Sequence, residues 1–229
     1  MPVYRLRNEL VFPDPEEAEE GLLAVGGDLR PQRLLLAYTM GIFPWYGEDD
    51  PILWHSPDPR CVLPTKGMRA GRTLRRFVRQ HPYQITFDSD FSGVIRACQE
   101  VERPGQEGTW ITTEMMAAYE GLHRLGFAHS IEAWQGDELV GGVYGVSLGR
   151  VFFGESMFSH ADYASRVALL ALGDELAKRG FSWIDAQVMT DTTRSLGAQE
   201  WPRRKFLEML SVELQPETLR GSWATWLTT

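Results

Sequence analysis

Apolar positions along this chain follow two periods, and the switches between them mark its elements. Within residues 70–80, Leu74, Phe77 and Val78 fall three and four apart, which turns one side of a helix inward. Residues 112–125 predict a second helix, opened by a Thr112-Thr113 cap with Glu114 in its first turn. Residues 130–134 and 138–148 read instead as two strands, and Gly136-Asp137 between them suits a hairpin turn. Gly149-Arg150 then turns the chain into a further strand at 151–153. Residues 163–179 form a long helix closed by Gly180, and 183–188 a short, nearly all-apolar strand of the kind buried on both faces.

After about residue 63 the elements run helix, strand, helix, helix, strand, strand, helix, strand, helix, which predicts an α+β (α/β-like) domain over 63–229. The first sixty residues differ: they are dense in Gly, Pro and Trp, and their runs GGDL, GIFPWY and HSPDPR are turn-rich. Only 31–38 reads as a helix there, with Pro31 at a start position and Leu34, Leu35 and Tyr38 at helical spacing. A small irregular domain over 1–62 is therefore expected.

In the predicted strand 183–188, alternation puts Asp185 and Gln187 on one face and Ile184, Ala186 and Val188 on the other. An unpartnered buried carboxylate is costly, so the pair implies a partner group or a wet cleft. On this ground alone they suit equally well a strand end at which they satisfy backbone groups. The run GRVFFGESMFSH, 149–160, carries Gly154, Glu155 and Ser156 where the strand gives way. It fits either close approach of backbone N–H groups to a ligand or a plain turn in which Ser159 or Asp162 caps the next helix.

Charge sharpens the picture. A formal net charge of −8 argues against indiscriminate coating of nucleic acid. Yet between Pro59 and Phe87 there is no acidic residue, while Arg60, Lys66, Arg69, Arg72, Arg75, Arg76 and Arg79 all fall there. Exposed helices usually mix signs, because opposite i,i+4 pairs help them and like pairs hurt, so this one-sign stripe predicts phosphate contact. Trp45 in GIFPWY and Trp110 in GTWIT lie in loops where they could stack an unpaired base, although either alone suits packing. Cys61 and Cys98 have no paired spacing and read as packing thiols, and the five histidines show no metal-ligand pairing. No apolar run approaches the roughly 20 residues of a bilayer span, and the N-terminus lacks a secretory layout, so a cytoplasmic, non-membrane protein is expected.

Seven blocks now stand in order: GLLAVGGDL, LLLAYTMGIFPWY, ILWHSPDPR, EGTWIT, AYEGLHRLGFAHSIEAW, LVGGVYGVSLGRVFFGESMFS and IDAQVMTDTTRSLGA. Together, from about residue 12 to about residue 210, they closely resemble the leucyl/phenylalanyl-tRNA–protein transferase family. The resemblance implies an enzyme that moves Leu, Phe or sometimes Met from aminoacyl-tRNA onto a protein whose first residue is Arg or Lys, feeding the N-degron degradation pathway. It implies an acetyltransferase-like (GNAT) larger domain behind a small N-terminal one. It assigns Trp45 and Trp110 to the terminal adenosine of the tRNA, and Val143, Phe152, Met157, Leu172, Leu176 and Ile184 to the amino-acid side-chain pocket. Glu155, Asp185 and Gln187 fall at the reacting centre, and the basic stretch of Lys66, Arg69, Arg72, Arg75, Arg76 and Arg79 faces the acceptor stem. Val143, Leu172 and Leu176 look smaller than the residues associated with better-known relatives, which leaves the ranking of Leu, Phe and Met open.

The implied chemistry is attack of an α-amine on an ester, which is downhill and requires neither ATP, metal nor other cofactor. An α-amine has a pKa of about 7.7 to 8.0 and needs no strong base. Gln187 reads as an orienting acceptor, and Asp185 as a proton acceptor or cation-holding group. An acetyl-CoA-dependent enzyme of the same fold would carry a glycine-rich pyrophosphate loop, and that place here reads FSHADYASR. Two further rivals are a transferase acting on cell-wall peptides and a non-catalytic tRNA-binding module. The first would not depend on an N-terminal Arg or Lys, and the second would retain tRNA without consuming the ester. Oligomeric state leaves no mark on the sequence, and a monomer is the working expectation.

Overall fold

The computed structural model describes residues 3–80, 82–101 and 110–227. In the N-terminal part, β1 (Tyr4–Leu6), β2 (Leu22–Gly26), helix α1 (Pro31–Thr39), β3 (Phe43–Pro44) and β4 (Leu53–His55) follow one another. The four strands form one sheet in the order β1-β2-β4-β3. Helix α1 begins at Pro31 and buries Leu34, Ala37 and Tyr38. It ends before Gly41, whose φ is +71° and where a Cβ would lie 2.7 Å from the Leu207 side chain. Glycine is thus required there both for the backbone conformation and for close packing.

The rest of the chain builds a larger sheet. Its elements are β5 (Arg60–Pro64), α2 (Arg72–Val78), β6 (Gln84–Phe87), α3 (Phe91–Glu100), α4 (Thr113–Arg124), β7 (Ala128–Gln135), β8 (Glu138–Leu148), β9 (Val151–Ser159), α5 (Ala164–Lys178), β10 (Trp183–Gln187), α6 (Asp191–Ser195), β11 (Gln199–Trp201) and α7 (Arg203–Glu213). Among the described residues the strand order is β11-β5-β10-β9-β8-β7-β6. Among the described residues of this sheet only β9 and β10 pair in parallel, and α5 is the crossover such a pair needs. One face packs a core of α3, α4 and α7 residues such as Val94, Met115, Tyr119 and Phe206, which is continuous with Leu23 and Trp54 of the N-terminal sheet. The other face packs Leu74 of α2 with Val167, Leu172 and Leu176 of α5.

The predicted helices and hairpin recur within a few residues of their expected ends, and the Thr112 hydroxyl caps α4 by accepting from the Met115 N–H at 3.2 Å. Several features differ from expectation, among them the four-stranded sheet in place of an irregular N-terminal part. Strands β5 and β11 were not foreseen, and the expected boundary at residue 62 falls inside β5, which pairs along β10. Strand β9 runs on to Ser159, so Glu155 is a strand residue and not part of a turn. The basic helix is shorter than 70–80, because Gly71 is its N-cap and Arg79 its C-cap.

After α7 the chain returns to the larger sheet. Trp223 stacks on His129 with ring centroids 3.6 Å apart and donates its backbone N–H to Asp88 at 2.7 Å. Asp88 also contacts His129 Nδ1 at 2.9 Å, so one buried carboxylate joins the sheet to the C-terminal segment. Trp223→Ala is expected to lower stability by about 3 to 5 kcal/mol. Urea unfolding followed by circular dichroism measures it; a loss well under 1 kcal/mol would show that this segment is not part of the folded core.

Candidate active site

Strands β9 and β10 stay in parallel register only as far as Phe153 opposite Asp185. Beyond that point both are irregular. In β9 an extra residue, Glu155, separates Gly154 and Ser156, which pair with the consecutive Gly145 and Tyr144. In β10 the register with β5 shifts between Asp185 and Gln187. Bulges of this kind re-aim side chains. A cavity of about 400 Å³ opens at the place where the two strands part.

Three kinds of residue line it. Trp45 and Trp110 both border the cavity, and Trp45 is 40% exposed. Leu63, Val143, Met157, Leu169 and Ile184 make an apolar wall. Glu155 and Gln187 are polar groups on the same lining. Here Gln187 Nε2 donates to Glu155 Oε1 at 2.8 Å, and the Tyr119 hydroxyl donates to Glu155 Oε2 at 2.9 Å. Tyr119 in turn lies against the Tyr38 hydroxyl at 2.5 Å. Burial pushes the Glu155 carboxyl up to about 7, against the opposing hydrogen bonds of Tyr38 and Tyr119, while the nearby Asp185 charge adds to the rise. Burial likewise holds both phenols well above their ordinary range, so they remain donors.

Asp185 does not border the cavity. It is fully buried, with Oδ1 accepting from Arg60 Nε at 2.8 Å and Oδ2 from Arg60 Nη2 at 2.7 Å. The expected shared face of Asp185 and Gln187 therefore does not give them equivalent places: alternation breaks at the irregularity, and only Gln187 reaches the lining. Arg60 also leaves the basic stretch, since it is fully buried and its guanidinium sits 4.8 Å from the Phe43 ring and 4.6 Å from that of Phe206. Lys66, Arg69, Arg72, Arg75, Arg76 and Arg79 are all at least partly exposed.

Of the six residues expected in a side-chain pocket, Val143, Met157 and Ile184 line the cavity. Phe152, Leu172 and Leu176 are fully buried in the core cluster behind it, and Leu63 and Leu169 stand at the wall instead. Leu169 lies one helical turn before Leu172 on α5, a position that an apolar helix pattern alone does not separate from its neighbours. Leu63 lies on the unforeseen β5. Among the described residues no group of three His, Cys, Asp or Glu is placed to hold a metal ion, and no helix is long and apolar enough to cross a membrane.

A family model described as leucyl/phenylalanyl-tRNA protein transferase matches residues 62–211, and one described as its N-terminal domain matches 27–58. The chain belongs to the leucyl/phenylalanyl-tRNA protein transferase family. A leucyl/phenylalanyl-tRNA–protein transferase of Myxococcus xanthus (strain DK1622) is 54% identical over 226 residues, covering 97% of each chain. One from Syntrophobacter fumaroxidans is 54% identical over 225 residues, covering 97% of this chain and 96% of the other. A solved structure of a functionally unknown conserved protein from Staphylococcus epidermidis is similar at a TM-score of 0.41 and 11% identity, over 79% of this chain and 68% of that one. Trp45, Trp110, Glu155 and Gln187 thus border one cavity, and Asp185 does not.

The raised Glu155 carboxyl has a consequence for stability. Between its unfolded value near 4.5 and about 7 the folded state binds a proton that the unfolded state has lost. Its contribution is present below the lower value and is lost as pH rises through the upper one, with a slope of up to about 1.4 kcal/mol per pH unit. Urea titrations from pH 5 to 8 should show this slope in the wild type and not in Glu155→Gln. The same slope in both proteins would contradict the assignment.

Proposed function

We propose that this protein transfers leucine, phenylalanine and sometimes methionine from aminoacyl-tRNA to the α-amine of an acceptor protein whose first residue is Arg or Lys, marking it for degradation. One observation carries the reading: a single cavity joins two tryptophans, an apolar wall and a hydrogen-bonded Glu155–Gln187 pair. The tryptophans suit stacking of the terminal adenine, the wall suits an apolar side chain, and the polar pair stands where the ester would lie between them. We read the larger sheet, with its parting parallel pair, as an acetyltransferase-like (GNAT) domain.

The reaction balances without a further reactant. The amine nitrogen attacks the ester carbon, a C–N bond forms, the bond to the ribose oxygen breaks, and the proton lost by nitrogen is the one the ribose oxygen gains. Positioning and charge stabilisation are what the protein must supply. Gln187 turns its NH₂ group to Glu155 Oε1, which leaves its side-chain oxygen for an N–H of the incoming amine. A covalent route through Cys61 is disfavoured: burial pushes its thiol up to about 11, and the thiolate is the nucleophile.

The exposed stripe from Lys66 to Arg79 is read as the docking face for the acceptor stem. Its carrier is fastened to the residues that flank β10 and α6: Thr65 donates its hydroxyl to the Phe181 carbonyl at 2.6 Å, and the Arg69 N–H donates to the Leu196 carbonyl at 2.8 Å. Phosphates held there would therefore be in fixed relation to the lining residues of β10 and α6.

Incubation with labelled Leu-tRNA and a protein bearing N-terminal Arg should make the label acid-stable on that protein; hydrolysis without transfer, or retention of the tRNA alone, would overturn the reading. Replacing Arg72 and Arg76 together with Ala should weaken tRNA binding and flatten the plot of log affinity against log salt by about 1 to 2 units. An unchanged slope counts against this face. Leu169→Ala enlarges the apolar wall and is expected to raise the Phe-to-Leu ratio of kcat/KM by about 10-fold, the scale set by one or two methylenes; a ratio that does not move would place the side chain elsewhere.

A further inference from the structure

Gln187 sits in a backbone conformation that L-residues rarely adopt. Its φ is +59°, and the Val188 N–H returns to the Ala186 carbonyl at 2.7 Å, closing a three-residue turn around it. Turns of this hand are rare and strained, and they persist only where surrounding structure holds them. The holding group here is visible. Asp185 Oδ1 accepts the Gln187 backbone N–H at 3.0 Å, and the same oxygen accepts from Arg60 Nε. The other two guanidinium nitrogens of Arg60 donate to Asp185 Oδ2 and, at 3.1 Å, to the Gly41 carbonyl. Neither Arg60 nor Asp185 borders the cavity.

We infer that Arg60 and Asp185 are positioning residues that clamp the turn at Gln187, so that the Gln187 side chain is held between Glu155 and the cavity. Asp185 acts on the reaction through the backbone of Gln187, and its charge is consumed by Arg60 and not by the incoming amine or by the acceptor's basic side chain. The inference rests on the transfer reading for its kinetic consequence, but the clamp itself can be measured without any substrate.

Three variants separate the roles: Asp185→Ala, Asp185→Asn, and Asp185→Asn combined with Arg60→Met. In the combined variant the amide oxygen still accepts the Gln187 N–H and no unpaired charge stays buried. Hydrogen exchange at the Gln187 amide reads the clamp directly. Asp185→Ala should speed it by about 10- to 100-fold, the equivalent of a lost hydrogen bond to a charged group, while the combined variant keeps the protection. In single-turnover transfer with Leu-tRNA, Asp185→Ala should slow the chemical step by about 100-fold with tRNA affinity unchanged, as expected for a misplaced group. The combined variant should recover to within about 10-fold of wild type and keep the wild-type pH profile.

Two results overturn the inference. One is wild-type protection of the Gln187 amide in Asp185→Ala. The other is a combined variant that protects the amide yet transfers no faster than Asp185→Ala, which would put the Asp185 charge into the reaction itself. Should the combined variant not fold, Asp185→Asn decides: it keeps an acceptor oxygen and must exchange more slowly than Asp185→Ala, and equal rates overturn the clamp. Failure of the wild type to transfer at all would overturn the transfer reading while leaving the exchange result to judge the clamp.

Discussion

A buried ion pair is the constraint from which the site follows. Arg60 and Asp185 are both withdrawn from water, which is costly for each charge, and the cost is offset because the geometry is bidentate and each guanidinium nitrogen makes a hydrogen bond. The guanidinium also lies between two aromatic rings, Phe43 from the N-terminal part and Phe206 from α7. Four separate stretches of chain thus meet at one charge pair: β5, which supplies Arg60; β10, which supplies Asp185; the segment 41–43; and α7. Removing one partner would leave an uncompensated charge, a loss of about 3 to 5 kcal/mol that these stretches would share.

From that pair the polar network runs outward without a gap. Asp185 holds the Gln187 backbone, the Gln187 side chain holds Glu155, and Glu155 is held from below by Tyr119, with Tyr38 beyond. Tyr38 belongs to α1 and Tyr119 to α4, so the network also ties the N-terminal part to the helices under the larger sheet. The N-terminal sheet therefore has a role in the site and not only beside it: its Phe43, Pro44 and the adjoining Trp45 close one side of the cavity, and its core is continuous with that of the rest. The bulges in β9 and β10 are what make room between otherwise parallel strands.

Much of this was legible in the sequence, for reasons that differ by element. The capped helix at 112–125 and the hairpin at Gly136-Asp137 are readable because caps and tight turns depend on a few local residues. The segment 60–64 is not, since its strand character comes from being enclosed by β10 and β11, which are distant in sequence. Alternation places Asp185 and Gln187 together but has no means of registering an irregularity between them or a positive φ at a glutamine. Charge counting groups Arg60 with the exposed arginines because it cannot see a partner 125 residues away. Residue blocks in order point to the family and to the two tryptophans; which leucines face the cavity is decided by packing.

The proposed transfer requires an aminoacyl ester held with its adenosine at the two tryptophans, its side chain at the apolar wall and its carbonyl beside Gln187. A crystal structure with adenosine carrying phenylalanine through a stable 3′ amide tests it most directly. The adenine is expected against Trp45 and Trp110, the phenyl ring among Leu63, Leu169 and Ile184, and open space for an amine about 3 to 3.5 Å from both the amide carbon and the Gln187 side-chain oxygen. An analogue bound outside this cavity, or bound in it with the amide carbon turned away from Gln187, would overturn this placement of the ester.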